Sequence, residues 1–146
     1  NNTLHQQWRN NYSTKEEFSR QNINEQQWHI IESPTYDICS TYPNSMVVPL
    51  CVTSNCLINA AKARNQARLP LLCYYFSKTN SLLLRSNTKQ PNCNNTLLNF
   101  DVHYLQKISA ILDNKITAIN LDNKSTTILS SAHNDILETQ SYAKPC

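Results

Sequence analysis

Glycine is absent from this 146-residue chain. At average usage of ~7%, about ten would be expected. Glycine supplies positive φ without steric cost, and it lets backbone approach a ligand closely. Without it, loops that gather several N–H groups around a phosphate are poorly served. No Gly-x-Ser-x-Gly nucleophile turn can be written in this chain, which argues against a Ser-His-Asp hydrolase. Asn is the next best residue at left-handed positions, and the chain is rich in Asn. Asp113-Asn114 and Asp122-Asn123 stand where turns are wanted. A composition bias explains the missing glycine better than any functional reason.

Other absences narrow the reading further. No apolar run approaches eighteen residues, so no transmembrane helix is encoded. No secretory leader is visible, and the first residue is Asn1 rather than Met; the chain reads as a piece of something longer. Net charge is only +3, with 16% charged residues. That makes no case for nucleic acid as a partner. A weak positive balance suits an anionic membrane without pointing to one.

Six cysteines are present: Cys39, Cys51, Cys56, Cys73, Cys93 and Cys146. In a secreted chain an even number suggests bridges, with fifteen pairings possible if all are joined. Their spacing is irregular and no Cys-x-x-Cys occurs. Cys39 and Cys73 lie in segments that read as buried, where a thiol behaves as a small hydrophobe. Reduced cysteines of a cytosolic protein are the expectation, with a secreted disulfide-linked module as the alternative. Cys51-x4-Cys56 with His103 or His133 is poor zinc spacing, because no histidine is paired with another. Four Asn-x-Ser/Thr sequons, at Asn1, Asn11, Asn94 and Asn123, are expected by chance in so Asn-rich a chain.

Along the chain, residues 1–12 read as a polar linker. Ser13-x-x-Glu16 is a capping-box pattern that opens a short helix to about Gln21. Gln27–Glu32 and Ser45–Leu50 read as strands, separated by a loop containing Pro34 and Pro43. Thr53 or Ser54 caps a helix to about Ala67, with Leu57, Ala60, Ala61 and Arg64 on one face. Leu69–Phe76 is nearly all apolar, which predicts a strand covered on both faces. Ser77–Ser81 turns and Leu82–Arg85 returns, making a hairpin. A second helix starts at Asn99 or Asp101 and carries Tyr104, Leu105, Ile108, Ile111 and Leu112. Ile116–Leu121 predicts a strand. Ser125 or Thr126 caps a third helix with Ile128, Leu129, Ala132 and Ile136 on its face. Strands alternating with helices indicate an α/β fold. Trp28 and Tyr42 read as core aromatics. His103 and His133 read as surface histidines, and Lys107 and Lys115 as solvated charges. Arg64, Arg68 and Arg85 read as structural, pairing with carboxylates or capping carbonyls near the strand at Leu69; the alternative is contact with an anionic headgroup or a partner.

Several phrases in this order carry a resemblance. Glu16-Glu17-Phe18-Ser19-Arg20-Gln21 is followed by Asn22 and then Trp28. Tyr36, Cys39, Thr41, Tyr42 and Pro43 match Tyr-x-x-Cys-x-Thr-Tyr-Pro in full. Ala63-Arg64-Asn65-Gln66-Ala67-Arg68-Leu69-Pro70-Leu71-Leu72 keeps both arginines and the proline of Phe-Arg-x-x-Gly-Arg-x-Pro-Val-Leu. After Arg85-Ser86, a displaced Gln90-Pro91 remains of a Gln-Pro-Leu-Val-Gly phrase. Asn134-Asp135-Ile136-Leu137-Glu138 corresponds to a Gly-Gly-Gly-Tyr-Glu phrase with every glycine lost. The chain thus resembles the myotubularin family of phosphoinositide 3-phosphatases, specifically over residues 36–86 and weakly elsewhere.

The resemblance implies the N-terminal part of a protein-tyrosine-phosphatase-like domain over 13–146, with a central sheet flanked by helices. Residues 47–48 and 71–72 are then expected as neighbouring sheet elements. Family chemistry needs a thiolate six positions before an arginine that forks onto phosphate oxygens. Six residues after each cysteine stand Ser45, Leu57, Lys62, Thr79 and Asn99, and Cys146 ends the sequence. No catalytic, cofactor-binding or metal-binding residue is therefore assigned. Two functions follow from the resemblance. One is a scaffold segment of a phosphatidylinositol 3-phosphate and 3,5-bisphosphate 3-phosphatase domain, not catalytic by itself. The other is an inactive family member that binds or regulates an active one, as a homo- or hetero-oligomer. Both imply a cytoplasmic protein peripheral on endosomal membranes.

Overall fold

The computed structural model of the chain describes residues 13–112, 115–120, 125–130 and 139–142. The readings for the 1–12 segment, the Asp-Asn turns, His133, the phrase at 134–138 and Cys146 lie outside them.

Helix α1 (Thr14–Arg20) begins as its capping box predicts: Ser13 Oγ accepts the Glu16 N–H at 3.3 Å. Its first turn carries Glu16 and Glu17 and its last carries Arg20, matching the helix dipole. The chain leaves α1 through Asn22 at φ 53, the left-handed exit that glycine normally makes. Strand β1 (Trp28–Glu32) pairs antiparallel with β2 (Ser45–Pro49), Trp28 opposite Pro49 and Glu32 opposite Ser45. Helix α2 (Ser54–Lys62) is capped by Thr53, whose hydroxyl accepts the Cys56 N–H. A tight turn at Asn65–Ala67 leads to β3 (Leu71–Phe76), which forms a hairpin with β4 (Ser81–Arg85). Helix α3 (Asn95–Ile111) packs on α2. Strands β5 (Lys115–Asn120), β6 (Ser125–Ser130) and β7 (Thr139–Tyr142) make an antiparallel sheet in sequence order.

The core gathers Phe18, Trp28, Tyr42 and Met46 with Val48, Leu57, Leu69, Tyr104 and Ile108. Burial of such side chains contributes roughly 1.5–3 kcal/mol each. Val47, Val48, Leu71 and Leu72 are all in this cluster, and β2 lies against β3. The two strands are nevertheless not hydrogen-bonded to one another. The described strands form three separate antiparallel sheets instead of one central sheet.

Four expectations need correction. Ser125–Ser130 is strand β6, not a helix. Thr126, Thr127 and Ile128 are β-branched and stiff at χ1, and pairing with β5 favours that stiffness. Helix α3 starts at Asn95, several residues before Asn99, because Asn94 Oδ1 accepts the Leu97 N–H at 2.9 Å. Helix α2 stops at Lys62, so Arg64 lies beyond it. The Leu69–Phe76 run is not covered on both faces. A bulge at Cys73 shifts the register between Leu72 and Tyr74. Cys73, Tyr74 and Phe76 are consequently exposed, while Leu71 and Leu72 are buried.

Candidate functional site

The segments 39–42, 63–72 and 85–90 come from three parts of the sequence and meet in one junction. Its centre is the passage from Leu69 through Pro70 into β3. Pro70 has no N–H, so neither ladder nor helix can satisfy this stretch fully. Its carbonyls are inside the core and need donors. Two buried tyrosines supply them. The Tyr42 hydroxyl donates to Leu69 O at 3.0 Å and is also placed to donate to Arg85 O at 3.2 Å. The Tyr104 hydroxyl donates to Pro70 O at 2.7 Å. Burial pushes the Tyr42 phenol up from 10.0 to about 12, and it raises that of Tyr104 further.

The arginines serve the same junction. Arg64 forks onto Asp101, Nε to Oδ1 and Nη2 to Oδ2, both at 2.7 Å. Asp101 is fully buried, so the pair is a desolvated one whose loss of either partner leaves a stranded charge. A third donor, Nη1 of Arg64, reaches Asn87 O at 3.1 Å. Arg68 donates from Nε to Thr41 Oγ1 at 2.9 Å, and Thr41 Oγ1 lies 3.4 Å from Cys39 Sγ. The buried Cys39 thiol also points at Gln66 O. Arg85 is exposed, and it is its carbonyl that joins the junction.

The displaced Gln90 has a clear task. Its N–H donates to Ala63 O and its Nε2 to Arg64 O, so it satisfies carbonyls just past the end of α2. Asn65 and Thr88 exchange a side-chain bond beside a backbone one. Arg64 thus pairs with a carboxylate and a carbonyl, as the structural reading expects, whereas the Arg68 side chain meets a hydroxyl, that of Thr41. Trp28 and Tyr42 are core residues, as expected, and His103 is exposed.

Asp101 is the residue that sequence reasoning missed as a partner. A signal was present: Asp101, Tyr104, Leu105 and Ile108 recur at helical spacing, so the carboxylate shares the apolar stripe. An acid on a buried stripe calls for a basic partner. Cys56 is buried beside Phe100 O, and burial raises its thiol pKa, whereas Cys51 is exposed. All five described cysteines are free.

What this arrangement defines is a mixed helix–strand scaffold whose shared motifs converge on hydrogen-bonded packing. A sequence model of the myotubularin-like phosphatase domain matches residues 1–144, and the chain belongs to that family. It is 36% identical over 70 residues to the human phosphatidylinositol-3,5-bisphosphate 3-phosphatase MTMR8, covering 47% of this chain and 10% of that protein. It is 38% identical over 72 residues to the Caenorhabditis elegans phosphatidylinositol-3,5-bisphosphate 3-phosphatase MTMR6, covering 47% of this chain and 10% of that protein. A Saccharomyces cerevisiae phosphoinositide 3-phosphatase is 32% identical over 85 residues, covering 55% of this chain and 12% of the relative. The matched region spans about a tenth of these curated relatives.

Proposed function

We propose that this chain is the N-terminal scaffold of a protein-tyrosine-phosphatase-like, myotubularin-type domain that removes the 3-phosphate from phosphoinositides. By itself it carries no reactive thiol loop. Its task is to hold the Leu69–Leu72 entry strand and the α2–α3 pair as a base for the catalytic part. The observation that carries this reading is the convergence just described: the segments with the most specific family phrases are the ones that meet at Leu69 and Pro70. Work of the complete protein on endosomal membranes in the cytoplasm belongs to the same proposal.

The alternative is an inactive subunit that regulates an active family member. Its support in the sequence is the loss of family glycines. The backbone weakens that support. Asn22 and Ala67, both at family Gly positions, still adopt φ 53 and 55. The geometry that glycine serves is retained, so the losses follow composition rather than relaxed shape.

A malachite-green assay with phosphatidylinositol 3-phosphate tests the first reading. Phosphate release is expected from the full-length protein and not from residues 1–146 alone. Release by residues 1–146 would refute the scaffold role. A silent full-length protein that captures an active myotubularin in a pull-down establishes the alternative.

A further inference from the structure

The link from β4 to α3 reads Ser86-Asn87-Thr88-Lys89-Gln90-Pro91-Asn92-Cys93-Asn94. It carries no Leu, Ile, Val or aromatic side chain, and none of its residues is buried. Apolar packing therefore does not hold it down. Residues 86–90 nevertheless lie along the Ala63–Arg68 turn as a strap. Gln90 N–H donates to Ala63 O and Asn65 N–H to Thr88 O, both at 2.9 Å, making an antiparallel bridge centred on Arg64 and Lys89. Asn87 N–H donates to Arg68 O at 3.0 Å, and the Ser86 hydroxyl donates to the same carbonyl. Hydrogen bonds of an unburied segment compete with water, so they fix it only weakly.

Arg64 ties this strap to the core. Its backbone sits at the bridge, and its Nη1 donates to Asn87 O at 3.1 Å. The other edge of the same guanidinium, Nε with Nη2, is forked on Asp101 of α3, whose side chain is fully buried. A guanidinium is planar, and its donors are fixed relative to one another. Two bonds to one carboxylate therefore set its plane, and with it the aim of Nη1. Displacing α3 would strand the Asp101 charge and swing Nη1 away from Asn87. Lifting the strap would take an acceptor from a group that is only 11% exposed.

We infer that Arg64 is a latch that couples closure of the 86–90 strap to the docking of α3, so that strap and helix open and close as one unit. The strap stays closed only while α3 is seated. An open strap loosens α3 in turn, because such coupling is reciprocal. Asp101 acts on the strap through Arg64, as a positioning residue. The competing arrangement is a strap held by its own backbone bonds alone, which would fray by itself. The contacts involved all lie within the chain, and their coupling does not depend on phosphatase activity.

Native-state hydrogen exchange of the full chain in low urea tests this, read amide by amide by NMR. The Asn65, Asn87 and Gln90 amides, bonded across the strap, should share one opening free energy and one urea dependence with the Tyr104, Leu105 and Ile108 amides of α3. Strap amides that exchange more than about tenfold faster than those of α3, with no urea dependence, overturn the proposal. Arg64→Lys separates the latch from the charge. An ammonium can stay on Asp101, but it cannot span Asp101 and Asn87 together. In that variant the strap amides should exchange at least about tenfold faster, the scale of one hydrogen bond to a charged group, while those of α3 change by less than about threefold. Strap amides that still exchange in step with α3 in Arg64→Lys also overturn the proposal, and this comparison decides even where every amide of the unmodified chain opens in one global step. Arg64→Lys keeps a cation beside the buried carboxylate, and the first comparison needs no variant.

Discussion

Ala67 occupies the left-handed region at φ 55, directly after Gln66 at φ 56. A Cβ there collides with the following carbonyl, at a cost of roughly 1–2 kcal/mol. The chain accepts this because Arg64 and Arg68 must face different partners on either side of the turn, Asp101 and Thr41. Ala67→Gly should therefore stabilise the protein by roughly 1 kcal/mol, the relief of strain exceeding the extra freedom glycine gives the unfolded chain. Asn22→Gly should change stability by less than about 0.5 kcal/mol, since Asn tolerates that region. Urea midpoints measure both, and a destabilised Ala67→Gly would show that the turn is not strained. Asp101→Asn belongs to this scale as well. It leaves a buried guanidinium without its counter-charge and should cost about 3–5 kcal/mol. At this level the sequence was legible wherever one residue type has one physical use. Ser13 and Thr53 before apolar runs were readable as caps, and they cap. The ion pair between Arg64 and Asp101 was not readable, because the two lie on different elements and no local rule links them.

Elements were legible where periodicity and caps agreed, as in α1 and the start of α2, and where a polar turn divides two apolar runs, as in the β3–β4 hairpin. They were misread where two signals competed. Ser125–Ser130 offers both a cap residue and a β-branched run, and pairing with β5 decides for the strand. Pairing across long sequence distance is invisible to a local pattern. Helix α3 begins before its apolar stripe does, because the Asn94 side-chain oxygen caps it by accepting the Leu97 N–H. Asn94→Ala should cost about 1 kcal/mol, and Asn94→Gly less; equal effects would mean that the side chain does no capping. The bulge at Cys73 is the other element-level surprise, and it sets thiol chemistry. Cys73 and Cys51 are exposed, whereas Cys39 and Cys56 are buried, with the Cys56 thiol pushed up by that burial. A disulfide reagent should label Cys51 and Cys73 rapidly in the native protein and reach Cys39 and Cys56 only on unfolding. Rapid native labelling of Cys56, read by peptide mass spectrometry, would contradict the packing of α2 on α3.

At the scale of the molecule, the two-stranded sheets β1–β2 and β3–β4 share one core with the helices, and that core is threaded by a segment whose carbonyls depend on two tyrosine hydroxyls. Two-stranded sheets are weak alone, and these depend on the packing of α2 and α3. Marginal stability is therefore expected of residues 1–146 alone, and a sharp urea transition with several kcal/mol of stability would contradict it. The same titration, repeated across pH, tests the junction. A phenolate cannot donate to a carbonyl, and its charge is unwelcome in the core. Folded Tyr42 therefore holds its proton up to about 12, against 10.0 in the unfolded chain. The folded form binds more protons between these values, so stability is fully present below pH 10 and falls as pH rises towards 12. Each such tyrosine contributes a slope of up to about 1.4 kcal/mol per pH unit in that window. Tyr104, shifted in the same direction, adds to it. Tyr42→Phe should lower stability at neutral pH by about 1–2 kcal/mol through the lost bonds to Leu69 and Arg85. It should also fall less steeply than the unmodified protein above pH 10. Lysines ionise in the same range in both proteins, so the difference between the two profiles isolates the phenol. Parallel profiles would mean that Tyr42 reaches water in the folded state, and that the meeting point of the family's phrases is not the closed junction its hydrogen bonds describe.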